Sequence, residues 1–252
     1  MSSLETHSGD VRYKAITVPV APLSSDSLPP YVVALREEMS DFSLAGQTEG
    51  QDTTEWRNYE GARRQASIQL SKDGLAMVTN VDRKGGVSFA KWQDCLGQYR
   101  RLLSRIGWKP GELKYQALVY TFVITPPRTN NYEWLLRELT PNAPLRGMVG
   151  DRELFDFDIT LRFRRPNDPR RMLLLEVGSN QESREIAARD FSDEQTRVMI
   201  TCHHVIRDFE AVSGAASISD VLGEQHTELC EWLAEKTLLE VERLAAWNTA
   251  GQ

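Results

Sequence analysis

The segment from Ala66 to Thr125 constrains the fold more than any other part of this sequence. A charged, hairpin-like pair of strands leads into an amphipathic helix, and a strongly apolar strand follows. The helix, SFAKWQDCLGQYRRLLSRIGW, carries apolar residues at three- and four-residue spacings, namely Phe89, Trp92, Cys95, Leu96, Tyr99, Leu102, Leu103 and Ile106. Ser88 is its predicted N-cap and Gly107 its predicted C-terminal stop. An apolar stripe of this length must pack against a broad apolar surface. The strands on either side in the sequence predict that this surface is a β-sheet.

The strands around this helix indicate an antiparallel arrangement. ASIQL and LAMVTNV are joined by Ser71–Gly74, where an Asp-Gly pair supplies the positive φ angle of a tight reversal. LKYQALVYTFVIT is apolar on both faces, which predicts a central strand. Nearer the N-terminus, YKAITVPV predicts a strand that Pro19 places at a sheet edge, and PPYVVALREEMSDF predicts a helix. The polar run from Ala45 to Thr54 lacks periodicity and is predicted to be a surface loop.

The second half of the chain contains further strands and a terminal helix. FDFDITLRF alternates with period two, so one face is predicted to be buried; its members are Phe155, Phe157, Ile159, Leu161 and Phe163. The turn PNDP and the strand RMLLLEV complete a predicted hairpin, TRVMITCHHVI predicts another strand, and a short WLLREL helix precedes them. The predicted fold class is α+β, a mainly antiparallel sheet in two strand-rich halves, each packed by an amphipathic helix. The halves are residues 1–127 and 128–252, with one continuous domain as the alternative.

Composition excludes several classes of protein. The 252 residues are 26% charged and 40% hydrophobic, a composition typical of globular rather than disordered chains. No apolar run approaches the roughly 20 residues of a membrane span, and the start MSSLETHSGDVRYK lacks the features of a signal peptide. We therefore expect a cytoplasmic protein with no membrane partner. Cys95, Cys202 and Cys230 lie in apolar stretches and are expected to be reduced thiols.

Charge is distributed unevenly although the net charge is only −6. The segment Glu55–Lys109 has eleven Lys/Arg and five Asp/Glu, and Ser219–Trp247 has two Lys/Arg and seven Asp/Glu. Opposite charges of this kind predict salt-sensitive association between two copies of the chain. The alternative is that both segments form ordinary solvated faces.

Three segments of the chain from about Ala66 onward carry a family resemblance: the hairpin QLSKDGLAMVTN, the helix SFAKWQDCLGQYRRLL and the C-terminal segment HTELCEWLAEKTLLEVERL. In these segments the chain resembles a sporadically distributed, uncharacterised bacterial family of similar chain length. Trp92 matches a tryptophan near the start of the family's helix, whereas Gly85-Gly86-Val87-Ser88 replaces the family's Tyr-Pro-x-x-Trp approach. The resemblance implies no reaction, cofactor or catalytic residue.

Five arginines crowd the end of the predicted hairpin: Arg162, Arg164, Arg165, Arg170 and Arg171. Guanidinium groups bind carboxylates and phosphates through two hydrogen bonds, so these residues are candidate contacts for a protein partner or for phosphates. A second basic set lies near Trp56, Tyr59 and Trp108, a combination that single-stranded nucleic acid binding uses; it comprises Arg63, Arg64, Arg83, Lys84, Arg100, Arg101 and Arg105.

Two groups of residues are candidate metal ligands. Asp156, Asp158 and Glu176 could converge on a divalent metal, or form an outward polar face balanced by arginines. His203 and His204 are adjacent on a strand and point to opposite faces, so His204 is expected in the core and His203 near solvent. His226 on the final helix could meet them in space. No catalytic residue, cofactor or metal ligand is predicted.

The sequence lacks a Walker loop, a GxGxxG after a strand, a GxSxG elbow and zinc-ligand spacing. By elimination, the leading prediction is a non-enzymatic protein-binding or assembly module of a cytosolic bacterial system, with another protein or a second copy as partner. One alternative is a nucleic-acid-associated protein of phage-defence or mobile-element type. The other is an enzyme of unrecognised class.

Overall fold

The computed structural model describes residues 10–23, 28–48, 53–60, 63–79, 88–124, 158–165, 168–179, 198–207, 217–234 and 236. Its strands are β1 (Asp10–Pro19), β2 (Ser43–Thr48), β3 (Thr53–Glu60), β4 (Arg63–Ser71), β5 (Gly74–Thr79), β6 (Leu113–Ile124), β7 (Asp158–Arg165), β8 (Asp168–Ser179) and β9 (Val198–Arg207). Its α-helices are α1 (Leu28–Glu38), α2 (Phe89–Ile106) and α3 (Ile218–Glu228). A 3₁₀ turn, Pro110–Glu112, precedes β6, and a π-helical turn, Leu229–Ala234, continues α3. No helix in these ranges has the length and hydrophobicity needed to cross a membrane.

The nine strands form one sheet in the order β2-β3-β4-β5-β1-β6-β9-β8-β7, and all neighbours are antiparallel. β1 lies at its centre, and β6 pairs with β9 from Tyr115 to Ile124. The α+β, mainly antiparallel prediction is therefore confirmed. Strands from residues 1–127 and 128–252 belong to the same sheet, while the packing of each half by its own helix stays a prediction.

The helices lie against one face of this sheet, which we call the inner face. The ring of Trp92 on α2 stacks on Tyr13 of β1 with centroids 5.2 Å apart, and its Nε1 donates a hydrogen bond of 2.9 Å to the Tyr120 hydroxyl. α1 and α3 both contact α2. Because aromatic rings bury large areas, this layer forms the core, with Tyr13, Trp92, Tyr99, Tyr120 and Phe122 among its largest buried side chains.

Helix α2 forms as its sequence predicts. Ser88 accepts a hydrogen bond of 3.2 Å from the backbone N–H of Lys91, and Gly107 ends the helix with φ 74°. Seven of the eight stripe residues are buried, namely Phe89, Trp92, Cys95, Leu96, Tyr99, Leu102 and Leu103, and Ile106 is half-buried. The amphipathic stripe is therefore the side that α2 turns to the sheet and to its neighbouring helices.

The β4–β5 hairpin confirms the predicted glycine conformation. Gly74 has φ 136°, and a Cβ atom built on it would lie 2.4 Å from the carbonyl oxygen of Thr17 on β1. Only glycine adopts this backbone and allows this approach without strain. Gly74 therefore lets the turn pass directly against the central strand.

Three expectations differ from the structure. The run Ala45–Thr54, expected as a loop, contributes to the edge strand β2 and to the start of β3, because an edge strand pairs through its backbone and needs no apolar alternation. β1 is central rather than at an edge, since Pro19 is its last residue and lies where the register with β6 shifts. Leu161 and Phe163 lie on the inner face, yet they are 46% and 42% exposed, because β7 is the outermost of the described strands. Phe155, Asp156, Phe157 and the WLLREL helix lie outside the described residues.

Candidate functional site

The structure separates the five arginines of the β7–β8 hairpin. Arg162 and Arg164 are exposed on the outer face of β7, and Arg170 lies on the same face of β8. Arg171 lies on the inner face, opposite Ile206 of β9. Arg165 ends β7, with its backbone paired to Asp168. Three of the five candidate residues therefore share one surface, and Arg171 does not belong to it.

Arg171 holds the hairpin against α3 through carboxylates. Its guanidinium lies 3.2 Å from Asp168, 2.7 Å from Glu224 and 3.9 Å from Glu228, and its side chain is only 14% exposed. Glu228 also lies 3.6 Å from Nε2 of His204, which is fully buried as expected. A guanidinium bound on several sides is not positioned to meet a partner, so we assign Arg171 a structural role.

Asp168 anchors the turn of the same hairpin. Burial alone would raise the pKa of its carboxyl, but a hydrogen bond and the positive charge from Arg170, together with Arg171, hold that pKa below its ordinary value. The Arg170 Nε lies 3.1 Å from Asp168. Arg170 is consequently paired with a carboxylate, which leaves Arg162 and Arg164 as the most exposed of the hairpin arginines whose side chains the structure describes.

The opposite face of the sheet, which we call the outer face, carries both apolar and basic side chains. Its half-exposed or buried apolar residues are Ile16, Val18, Val78, Ala117, Val119, Met172, Leu174 and Val205. Its exposed basic residues are Arg12, Lys14, Arg162, Arg164 and Arg207. His203 lies among them and contacts Glu176, with Nε2 and Oε2 3.0 Å apart. Glu176 is thus paired with an imidazole, and the described residues contain no group of three potential metal ligands.

Strand β7 is an edge with two different faces. It pairs with β8, and β8 is its one neighbour among the described strands. Leu161 and Phe163 project from the inner face, and Arg162 and Arg164 from the outer face. An edge strand has backbone N–H and C=O groups available for pairing with another chain. β7 therefore combines such a backbone edge with exposed apolar and basic side chains.

A thiol and an imidazole meet at the start of the π-helical turn. The Cys230 Sγ lies 3.6 Å from Nδ1 of His226, which also contacts the hydroxyl of Tyr120. Burial, with a smaller contribution from the charge of Arg100, lowers the pKa of His226 to about 4. A neutral imidazole provides no positive charge to stabilise a thiolate, so this pair is better suited to packing than to nucleophilic catalysis. Sequence reasoning missed the pair, although its four-residue spacing on a predicted helix was a usable signal.

A groove of about 700 Å³ lies between α2, α3 and β8, with Arg100 and Arg171 facing acidic residues of α3. The Nε of Arg100 donates a hydrogen bond of 2.8 Å to the carbonyl of Ser219. Gly223 permits this position, because a Cβ there would lie 2.9 Å from the guanidinium. The basic and acidic segments noted in the sequence therefore contact each other within one chain. Their predicted role in self-association stays a prediction.

The second basic set is used in a similar way where it is described. Arg101 lies 3.7 Å from Glu38 of α1, and Arg105 contacts both Glu37 and Glu38. These contacts join α2 to α1 across the helix layer. The side chains of Arg63 and Arg64, and the residues Arg83 and Lys84, lie outside what the structure describes.

A comparison with models of known protein families finds no match to this chain, and a comparison with curated proteins finds no similar sequence.

Proposed function

We propose that this chain is a non-enzymatic protein-binding or assembly module whose contact site is the edge strand β7. The observation that carries the proposal is the pattern of exposure along β7. Leu161 and Phe163 are 46% and 42% exposed on one face, and Arg162 and Arg164 are exposed on the other. The cytoplasmic bacterial setting expected from the sequence belongs to the same proposal.

The mode of binding that fits an edge of this kind is addition of a strand. Backbone hydrogen bonds to the edge provide affinity, and the alternating side chains select the partner. Apolar residues of the added strand would lie beside Leu161 and Phe163, and acidic or neutral residues beside Arg162 and Arg164. Opposite charges across neighbouring strands stabilise a sheet, and like charges destabilise it.

The rest of the hairpin supports this role because it holds β7 in place. β7 pairs with β8 along its whole length, from Asp158 to Arg165. β8 is held in turn by its pairing with β9 and by the contacts of Arg171 with α3. A binding strand built on rigid elements loses less conformational entropy when the partner docks.

Site-specific photo-crosslinking in the cells that produce the protein tests the proposal. With p-benzoylphenylalanine in place of Phe163, we expect an adduct with one defined protein, identified by mass spectrometry. The matched control places the same group at Val33, which is 55% exposed on α1, and we expect no such adduct there. Absence of an adduct at position 163, or the same adducts at both positions, would reject the β7 edge as the contact site.

A specific observation favours a second candidate, binding of single-stranded nucleic acid. Arg162 and Arg164 share the outer face with Arg12, Lys14 and Arg207, and Tyr115 is half-exposed on the same face. Basic residues with an aromatic side chain on a sheet are suited to backbone contact and base stacking.

Binding assays with single-stranded DNA and RNA at about 50 mM salt distinguish this candidate. Phosphate contacts predict an affinity that falls with salt, with a log–log slope of about −0.7 per phosphate. Arg164→Glu should weaken binding, and Leu44→Lys, on the far edge of the sheet, should not weaken it. No complex at low salt would remove the second candidate and leave the first unaffected.

A further inference from the structure

We infer that the partner at the β7 edge is a second copy of this chain, joined by antiparallel β7–β7 pairing about a two-fold axis that passes through Leu161. The inference rests on the proposed function and deepens it by naming the partner. It makes the nine-stranded sheet continuous across two molecules.

Symmetry limits how two such edges can pair. A two-fold axis perpendicular to the sheet makes the strands antiparallel and keeps the inner faces of both copies on the same side. Residues directly opposite each other then belong to the same face. Two registers of this kind pair all but one of the eight residues of β7, one centred on Leu161 and the other on Arg162.

Charge selects between these registers. Centring on Arg162 would place two arginine side chains directly opposite each other, which destabilises a strand pair. Centring on Leu161 instead places Arg162 opposite Thr160, and Arg164 opposite Asp158. The pairing of Asp158 with Arg164 then occurs twice, once on each side of the axis, so the Leu161 register is self-complementary in charge.

The same register brings the exposed apolar residues together. Leu161 lies opposite its own copy, and Ile159 lies opposite Phe163. Leu161 and Phe163 are the exposed large apolar residues of β7, and pairing would cover part of both side chains in both copies. Removing apolar surface from water is the main favourable contribution to association.

Other surfaces are less suited to a second copy. Stacking of two outer faces would bring Arg12, Lys14 and Arg207 of one copy near the same residues of the other. The acidic residues of α3 already contact Arg100 and Arg171 within the chain.

The area buried between one strand of each copy is small compared with the roughly 1,600 Å² of a standard interface. We therefore expect a dimer that dissociates on dilution.

Light scattering and sedimentation of the full chain test the dimer. We expect the wild type to have twice the monomer mass at high concentration and to approach the monomer on dilution. Leu161→Lys should be monomeric at every concentration, since it would place two lysines opposite each other. Leu44→Lys is the matched control, because Leu44 is 56% exposed on the opposite edge strand, and it should dimerise like the wild type. Circular dichroism verifies that both variants are folded.

Cysteine crosslinking tests the register. Under mild oxidation, Leu161→Cys should form a disulfide-linked dimer at least about tenfold faster than Arg162→Cys, because directly opposite Cα atoms lie within disulfide range. The wild type controls for Cys230, which is half-buried, and for Cys95 and Cys202, which are buried. Faster crosslinking through position 162 would overturn the register.

Failure of this inference can be told apart from failure of the proposed function. A wild type that is monomeric at all concentrations, or a Leu161→Lys variant that still dimerises, would overturn β7 self-pairing. An adduct of position 163 with a different protein would then keep the β7 edge as a binding site for another partner. No adduct at position 163 together with a monomer would overturn both.

Discussion

At the residue scale, Gly74 is the glycine of the described residues that leaves the least room for a side chain. We predict that Gly74→Ala lowers the free energy of unfolding by at least about 2 kcal/mol, because alanine is strained at φ 136° and its Cβ would meet the carbonyl of Thr17. Urea unfolding followed by circular dichroism measures the change. Gly111→Ala is the control, since a Cβ there has no atom within 4 Å, and it should alter stability by less than about 0.5 kcal/mol. Equal effects at both positions would contradict the account.

His226 makes the stability depend on pH. Its pKa is lowered from the ordinary 6.5 to about 4 in the folded state, so the unfolded chain binds a proton more readily between these values. Stability contributed by the neutral imidazole is therefore complete above pH 6.5 and is lost as the pH falls toward 4. Between pH 7 and pH 5, the free energy of unfolding of the wild type should fall by up to about 2 kcal/mol more than that of His226→Asn. Parallel stability curves for the two proteins would show that His226 does not titrate in this way.

Single residues with local roles were predictable from the sequence. Ser88, Gly107 and Gly74 act through backbone geometry that their immediate neighbours define. The contacts of Arg171 with α3 were not predictable, because Glu224 lies some fifty positions away in sequence; its role as a partner contact stays a prediction. The strand register determines on which face of the sheet an arginine side chain lies, and the docking of α3 determines which carboxylates it contacts.

At the scale of elements, α2 holds the core together through its buried stripe. We predict that Leu96→Ala or Leu103→Ala costs about 2–5 kcal/mol of stability, because each leaves a cavity in a closely packed layer. Leu96 is 3% exposed and Leu103 1% exposed. Gln93→Ala, on the exposed side of the same helix, is expected to be nearly neutral. Chemical unfolding gives both values, and a loss below about 1 kcal/mol at the two leucines would mean that the stripe is poorly packed.

Elements with a strong periodic pattern were predictable, and edge strands were not. α2 and β6 are buried on defined faces, so burial imposed a pattern on their sequences. β2 is the outermost described strand on its side of the sheet, and its sequence SLAGQT carries no such pattern. For β7 the sequence indicated which residues share the inner face, whereas their exposure depends on how far the helix layer extends.

At the scale of the whole molecule, the continuous pairing of β1, β6 and β9 predicts one cooperative unit. We expect the central amides of these three strands to exchange with solvent at the same free energy, and the edge strands β2 and β7 to exchange at lower values. Native-state hydrogen exchange with increasing denaturant measures this. Exchange of β8 and β9 in a separate step before β1 and β6 would instead divide the chain near residue 127.

The strand order was the part of the architecture that the sequence did not reveal. Alternation identifies strands, and short turns identify hairpins such as β4–β5 and β7–β8, because both are local. Which hairpin lies beside which is decided by contacts between distant residues, as in the pairing of Tyr13 with Tyr120. The candidate site depended on this order, since β7 is proposed as a contact site because it is the outermost of the described strands.

The central place of β1 has a consequence for biosynthesis. Translation delivers β1 before any other described strand, yet its two neighbours are β5 and β6, and β6 gains its second neighbour only with β9. Pairings between distant residues form slowly, so the nascent chain carries an unsatisfied central strand while most of the protein is still being made. Unpaired strands of this kind are prone to aggregate. The yield of native protein should therefore depend on how fast the ribosome reaches β9, and slowing translation between β6 and β9 should lower it.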